Sequence, residues 1–366
     1  MPGDLGSGLG AAIAQEDMTG PGKCCGADPL VRAGPPGPAV GTELNIRPAA
    51  RRPTRASAAD QGVRLTKLRN IVIPCWLATF TLASVALAAD PAWIEQAGGS
   101  VTRDAAGKIV AVDLRSSWVT DSDMPLLARM TDLQRLDLTL TRISDRGLRA
   151  LKSAPALEDL NLCFAEQITD EGAAVVKNWP HLKRLNLRGT KITDSTLEFL
   201  AGVPRLEWLD IGWAQITDTG LEHLSTLTNL RWLAMGGNKL TDTALQFLRT
   251  MPQIEYLDLG GAQRTDSGLW SLAITRTGLR AVGSVTELRE LSLAGTVVNA
   301  QGLQELKALA KLERLNLQGC RQLRDDAVGV LASFKQLRVL DVKDSGMTVQ
   351  GVERLRAALP ECRVLA

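Results

Sequence analysis

Between Ile109 and Glu361 a single pattern of residues recurs about ten times, and it constrains the fold more than any other feature of the chain. The copy at 206–229, LEWLDIGWAQITDTGLEHLSTLTN, shows the frame: Leu-x-x-Leu-x-Leu, a few small or polar residues, then Ile-Thr-Asp-x-Gly-Leu-x-x-Leu. The first residue of the frame falls at Ile109, Leu133, Leu157, Leu182, Leu206, Leu230, Ile254, Leu288, Leu312 and Leu337, a period of 24 or 25 with one exception. A unit this short cannot bury its own apolar side chains. It has to stack on its neighbours and share a continuous core with them.

In LEWLDI, Leu209 and Ile211 alternate with Trp208 and Asp210, which predicts a strand with apolar and polar faces. In ITDTGLEHLSTL, Leu221, Leu224 and Leu227 fall at helical spacing. Thr217 stands where an N-cap belongs and Asp218 in the first turn, where a carboxylate suits the helix dipole. Ser144, Thr169, Thr193, Thr241 and Thr265 recur in the Thr217 slot. The expected fold is α/β, a right-handed horseshoe-shaped solenoid with a parallel β-sheet on the concave face and helices on the convex face. About ten strands at ~4.8 Å give a sheet on the order of 45 Å across.

The rest of the chain divides around this block. Residues 1–63 are rich in Gly, Pro, Ala and Arg without apolar periodicity, so they are expected to be disordered or to lie upstream of the natural start. Residues 64–89 combine a basic flank, an apolar run and the small residues Ala86-Leu87-Ala88, as a secretory signal peptide does; an uncleaved membrane anchor is the alternative. The protein is therefore expected to be exported to the periplasm, cell surface or exterior. Residues 90–108 are expected to cap the N-terminal end, with a short helix in DPAWIEQAGG and a hairpin turning at Asp104–Gly107. Residues 109–336 are assigned to the repeats and 337–366 to the last repeat and a C-terminal cap, where Leu355, Leu359 and Val364 keep the core pattern. The exception to the period lies between Ile254 and Leu288, which are 34 residues apart. Residues 273–282, AITRTGLRAV, resemble a second half-unit and are assigned to the extra length, as a turn or helix on the convex side.

Equivalent positions in a parallel stack form columns. The third position reads Arg135, Asp159, Arg184, Trp208, Trp232, Tyr256, Glu290 and Arg314, so three aromatics occupy consecutive strands, with Trp213 just beyond. Exposed aromatics that cluster mark binding sites; alternatively the rings stack and stiffen the sheet. The second position alternates in sign, Lys183, Glu207, Arg231, Glu255, Arg289, Glu313, Arg338, as a cross-strand charge ladder does. The fifth position is polar, Asp113, Asp137, Asn161, Asn186, Asp210, then Ala234, Asp258, Ser292, Asn316, Asp341. Its amides and Ala234 interrupt what would otherwise be a set of oxygen ligands for a hard cation, and no metal is expected.

Catalytic signatures do not emerge. His181 and His223 are the two histidines and neither has an evident partner. Gly236-Gly237 and Gly260-Gly261 follow strands but lack the Lys-Ser/Thr of a phosphate loop. Forty-two basic residues balance 40 acidic ones, which argues against general nucleic-acid binding. Cys163, Cys320 and Cys362 have no disulfide-framework spacing.

The repeats, with T-D-x-G-L after each strand, resemble the leucine-rich-repeat superfamily over about 250 residues, and within it look most like bacterial proteins with repeats similar to those of F-box/leucine-rich-repeat receptors. No F-box-like module precedes Ile109. What is expected is a monomeric, non-enzymatic exported protein without a cofactor. It binds a protein, or alternatively a glycan, through Trp208, Trp213, Trp232 and Tyr256, with Arg184, Arg188 and Asp210 orienting the ligand. The alternative is an intracellular substrate-binding adaptor of a ubiquitin ligase.

Overall fold

The computed structural model describes residues 91–265 and 268–366. The assignments to residues 1–89 lie outside them. The Leu-x-x-Leu-x-Leu frame yields one strand per unit, three residues long in every unit after the first. In chain order the strands are β1 (Ser100–Arg103), β2 (Ile109–Asp113), β3 (Arg135–Asp137), β4 (Asp159–Asn161), β5 (Arg184–Asn186), β6 (Trp208–Asp210), β7 (Trp232–Ala234), β8 (Tyr256–Asp258), β9 (Ala262–Thr265), β10 (Gly268–Ser271), β11 (Glu290–Ser292), β12 (Arg314–Asn316), β13 (Val339–Asp341) and β14 (Arg363–Leu365). All but β9 and β10 join one sheet in sequence order, with β8 beside β11. β1 is antiparallel to β2, folded back through a turn in which Gly107 N–H donates to the Asp104 carbonyl. The remaining pairs are parallel and in strict register, so Arg184, Trp208, Trp232, Tyr256 and Glu290 are successive neighbours.

In β3–β8 and β11–β14 the central residue of each strand, such as Leu209, Leu233 and Leu257, is buried against the helical layer. The residues on either side of it therefore project from the opposite face of the sheet. The second half of each unit forms short α-helical or 3-10 turns, among them Asp145–Ala150, Asp194–Leu200 and Leu221–Thr226. Ser144, Thr169, Thr193 and Thr241 are N-caps whose hydroxyls accept from the backbone N–H two residues on. Thr217 differs from the expectation: it is followed by a turn and a 3-10 helix, so it caps no α-helix.

The aspartate after the cap serves the neighbouring unit. Asp121, Asp145, Asp170, Asp194, Asp218, Asp242 and Asp325 each accept the backbone N–H of the Ser or Thr in the next unit's cap slot at 2.8–2.9 Å. Each also accepts the hydroxyl of that residue. The glycine of T-D-x-G-L follows from the same contact, since a Cβ at Gly172 would run into the Asp145 carboxylate. In the unit with Thr196 at that position, its hydroxyl donates to Asp170.

These bonds correct the placement of the extra residues. Thr275 donates to Asp242, and Ala273 bridges Thr241 as Lys239 bridges Thr217. Arg276–Val282 is therefore the ordinary helix of its unit, with Thr275 as its cap, and Thr265 belongs to β9. The added residues form the antiparallel hairpin β9–β10, which leaves the sheet after Gly261. Gln263 Nε2 reaches back across two units to donate to the Ala214 carbonyl at 2.5 Å. Beyond the hairpin Arg276 and Ala300 occupy the aspartate slot, and there Arg276 and Arg280 both pair with Glu305.

At the C-terminal end a helix, Val349–Ala358, packs before β14. Cys163, Cys320 and Cys362 are buried thiols. His181 has a partner after all, lying 2.9 Å from Arg205 Nη1. No helix among the described residues is long and apolar enough to cross a membrane. Removing one inter-unit acceptor strands an N–H and a hydroxyl, so Asp145→Ala is expected to destabilise by about 2 kcal/mol. Asp326→Ala, at an exposed aspartate outside the clamp, stays within about 0.5 kcal/mol; denaturant unfolding of both variants checks this.

Candidate functional site

Strict register brings Trp208, Trp232 and Tyr256 onto adjacent strands, and the ~4.8 Å strand spacing suits stacked rings. Trp208 and Trp232 stack with centroids 4.1 Å apart and planes 16° apart. Trp232 and Tyr256 follow at 4.2 Å and 9°. The Arg184 guanidinium lies 5.0 Å from the Trp208 ring and pairs with Asp159 at 3.3 Å. The rings are thus not exposed in the way their clustering suggested: Trp208 is 7 % exposed and both faces of Trp232 are covered. What the column presents is the edges of Trp232 and Tyr256. At its far end Glu290 pairs with Arg314 at 3.0 Å.

The fifth-position column ends the strands. Asp137, Asn161, Asn186, Asp210, Asp258, Asn316 and Asp341 each accept, through Oδ1, the backbone N–H two residues on, at 2.8–3.1 Å. Amides and carboxylates do this equally well, which explains their interchange. Asp210 is 5 % exposed, and burial pushes its carboxyl up to about 6 against the pull of Arg188, whose Nη1 lies 3.6 Å from it. Burial also raises Asp258, with the Gly260 N–H, the Ser292 hydroxyl and Arg188 opposing. The Tyr256 hydroxyl is raised by burial and then by Asp258, Asp210 and Glu290.

Trp213 sits in a slot that adopts a left-handed backbone, with φ +55°. Its indole lies over Gly237 and Gly261, where any Cβ would collide with it or crowd it. Arg188 is 5.4 Å from the ring centroid, and Phe164 meets the ring edge-on at 6.3 Å and 85°. All seven residues expected from the sequence therefore join one contiguous cluster, linked in two arms through Arg184 and Arg188. Phe164 lies outside the columns that the frame defines, although it occupies the same left-handed slot as Trp213 two units earlier. The charge ladder is present in part beside the cluster, with Lys183–Glu158 at 2.8 Å, Arg231–Glu255 at 3.0 Å and Arg289–Glu313 at 2.8 Å. Each such exposed pair contributes ~0.2–1 kcal/mol. Among the described residues no three His, Cys, Asp or Glu are grouped to hold a metal ion.

The folded-state pKa of Asp210 lies above its ordinary value of 3.8, so the folded chain binds this proton more tightly than the unfolded chain. Stability is therefore lost as pH rises from 4 to 6. Asp210→Asn keeps an acceptor for the Gly212 N–H, as Asn186 does for Arg188. It is expected to remove up to about 3 kcal/mol of the stability difference between pH 4 and pH 7, measured by denaturant unfolding at the two values.

The family model for the leucine-rich repeat matches residues 129–152, 180–201 and 206–225. No curated protein matches the sequence. Among solved structures, an internalin (inlF) from Listeria monocytogenes is similar at 17 % identity and a TM-score of 0.43, over 75 % of this chain and 92 % of that one. A leucine-rich-repeat protein of Leptospira interrogans is similar at 18 % identity and a TM-score of 0.44, over 66 % of this chain and 68 % of its own. With matching repeats, a parallel sheet in sequence order and a helical layer behind it, the chain is a leucine-rich-repeat protein.

Proposed function

We propose that this is a non-enzymatic binding protein that recognises a protein partner through the outward face of its sheet. The observation that carries this reading is the cluster at β5–β8, where Arg184, Trp208, Trp232 and Tyr256 run as one stack beside Arg188, Asp210 and Trp213. Aromatic and arginine side chains are the residue types that dominate interface energetics. Here they are immobilised before any partner arrives, so little side-chain entropy is left to lose on binding. Repeat solenoids supply extended surfaces suited to this use.

The test compares the two faces. Tyr256→Ala alters the end of the stack, and Arg149→Ala removes an exposed ion pair to Glu171 on the helical face. Partner capture, quantified by mass spectrometry from native extract, is expected to fall at least tenfold with Tyr256→Ala and to persist with Arg149→Ala. Equal capture by both variants rejects the sheet face as the binding surface.

The same reading places the protein outside the cytosol, on the strength of the signal-like segment 64–89. Intact mass of the native protein is then expected to correspond to a chain beginning at Ala89 or Asp90. A longer chain recovered from the soluble cytosolic fraction contradicts export.

A further inference from the structure

One unit in the middle of the cluster departs from its neighbours. Wherever the fifth position is Asp or Asn, its side chain accepts the N–H two residues on, as Asp210 does for Gly212 and Asp258 for Gly260. Between those two strands the fifth residue is Ala234, and the Gly236 N–H has no acceptor among the described residues. The Gly237 N–H likewise lacks the cross-unit bond that Trp213 N–H makes to the Gly236 carbonyl and Gly261 N–H to the Ala294 carbonyl. Both glycines are buried, and a buried backbone N–H without a partner is rare in folded proteins. Gly236 can carry no side chain, because the Gly260 carbonyl packs directly against it. A third donor converges here: the Trp213 indole N–H, over Gly237 and Gly261, is shut off from solvent and also lacks a partner among the described residues.

The charges beside these donors do not balance. Asp210 and Asp258 stand on the strands flanking Ala234, and Arg188 is the cation that acts on both. The other charged groups facing the cluster have their own partners, Arg184 with Asp159 and Glu290 with Arg314. Two carboxylates against one guanidinium leave one negative charge to be met. An occupant must therefore bring a hydrogen-bond acceptor for the Gly236 N–H and one positive charge for the carboxylates, the Trp213 indole N–H being shut off from it. A neutral saccharide brings oxygens without the charge, and an anionic ligand meets two carboxylates.

Building on the reading of the sheet face as a protein-binding surface, we propose that Ala234 marks the seat of a basic peptide segment of the partner. A carbonyl oxygen of that segment accepts from the Gly236 N–H, and a lysine or arginine side chain lies between Asp210 and Asp258, against the edge of Tyr256.

The experiment uses the full chain and blocked glycine pentapeptides whose central residue is lysine, arginine, norleucine or glutamate, titrated by tryptophan fluorescence. The lysine and arginine peptides are expected to bind saturably, and the norleucine and glutamate peptides at least tenfold more weakly. Ala234→Asn supplies the missing acceptor to the Gly236 N–H, as Asn186 does for Arg188. It is expected to hold or raise the Tm and to weaken the lysine peptide at least tenfold. Equal binding of the norleucine peptide, undiminished binding to Ala234→Asn, or no saturation by any peptide overturns the proposal. So does a saccharide held by the wild type and lost by Ala234→Asn. If partner capture is lost in Tyr256→Ala but kept in Ala234→Asn, this seat is wrong and the sheet face stands. If capture survives in both, the sheet face itself is wrong.

Discussion

The aspartate of one unit and the cap residue of the next form the contact on which the solenoid depends. A carboxylate that takes both the N–H and the hydroxyl of its neighbour's cap position fixes two things at once, the start of a helical turn and the offset between successive units. Apolar packing alone would tolerate sliding of one leucine row over another. Two directional bonds to a single residue do not. The strands inherit this precision, and so the side-chain columns on the far side of the sheet keep their register. Where Arg276 and Ala300 interrupt the series, the two arginines on Glu305 tie the helical face together instead, and the series resumes at Asp325.

The outward face shows what register does to otherwise unremarkable residues. Three aromatics one strand apart have to stack, which covers most of their area and converts what would be an adhesive patch into a firm ridge. Next to the ridge, a column whose ordinary task is to end strands acquires an unusual electrostatic state, because Asp210 and Asp258 do that task in a place shielded by the rings and the Trp213 loop. Burial, opposed by the one guanidinium of Arg188, sets their protonation. Nothing in that cluster requires residues foreign to the repeat. It arises from the choice of side chain at four or five frame positions in adjacent units.

Most of the architecture could be read from the chain because a repeated frame states the same inference many times over: strand, buried leucines, cap and sheet order all follow from spacing. Where spacing misleads, the reasons are local. The sequence at 265–269, Thr-Asp-Ser-Gly-Leu, matches the frame better than the true half-unit, in which Arg276 replaces the aspartate. Pattern matching favoured the copy with the consensus, whereas the bond from Thr275 to Asp242 decides the matter. Trp208 leaves the sheet on its outward face and is nonetheless buried, because alternation reports which face a side chain leaves from, and not what its neighbour lays over it. The role of the fifth-position column was hidden for a similar reason: aspartate and asparagine look different as ligands and identical as acceptors of a nearby N–H.

The hairpin β9–β10 also alters how the chain comes apart. In a simple solenoid each unit touches its nearest neighbours, so unfolding can start at any weak interface and run along the array. Gln263 ties the unit of β8 to the loop after β6, two units away, and Trp213 spans the same interval over Gly237 and Gly261. These second-neighbour links make the three central units one cooperative block. Amide hydrogen exchange across 206–283 should then follow a common opening, slower than at either end. The portion of the molecule that bears the aromatic ridge is the portion least able to fray.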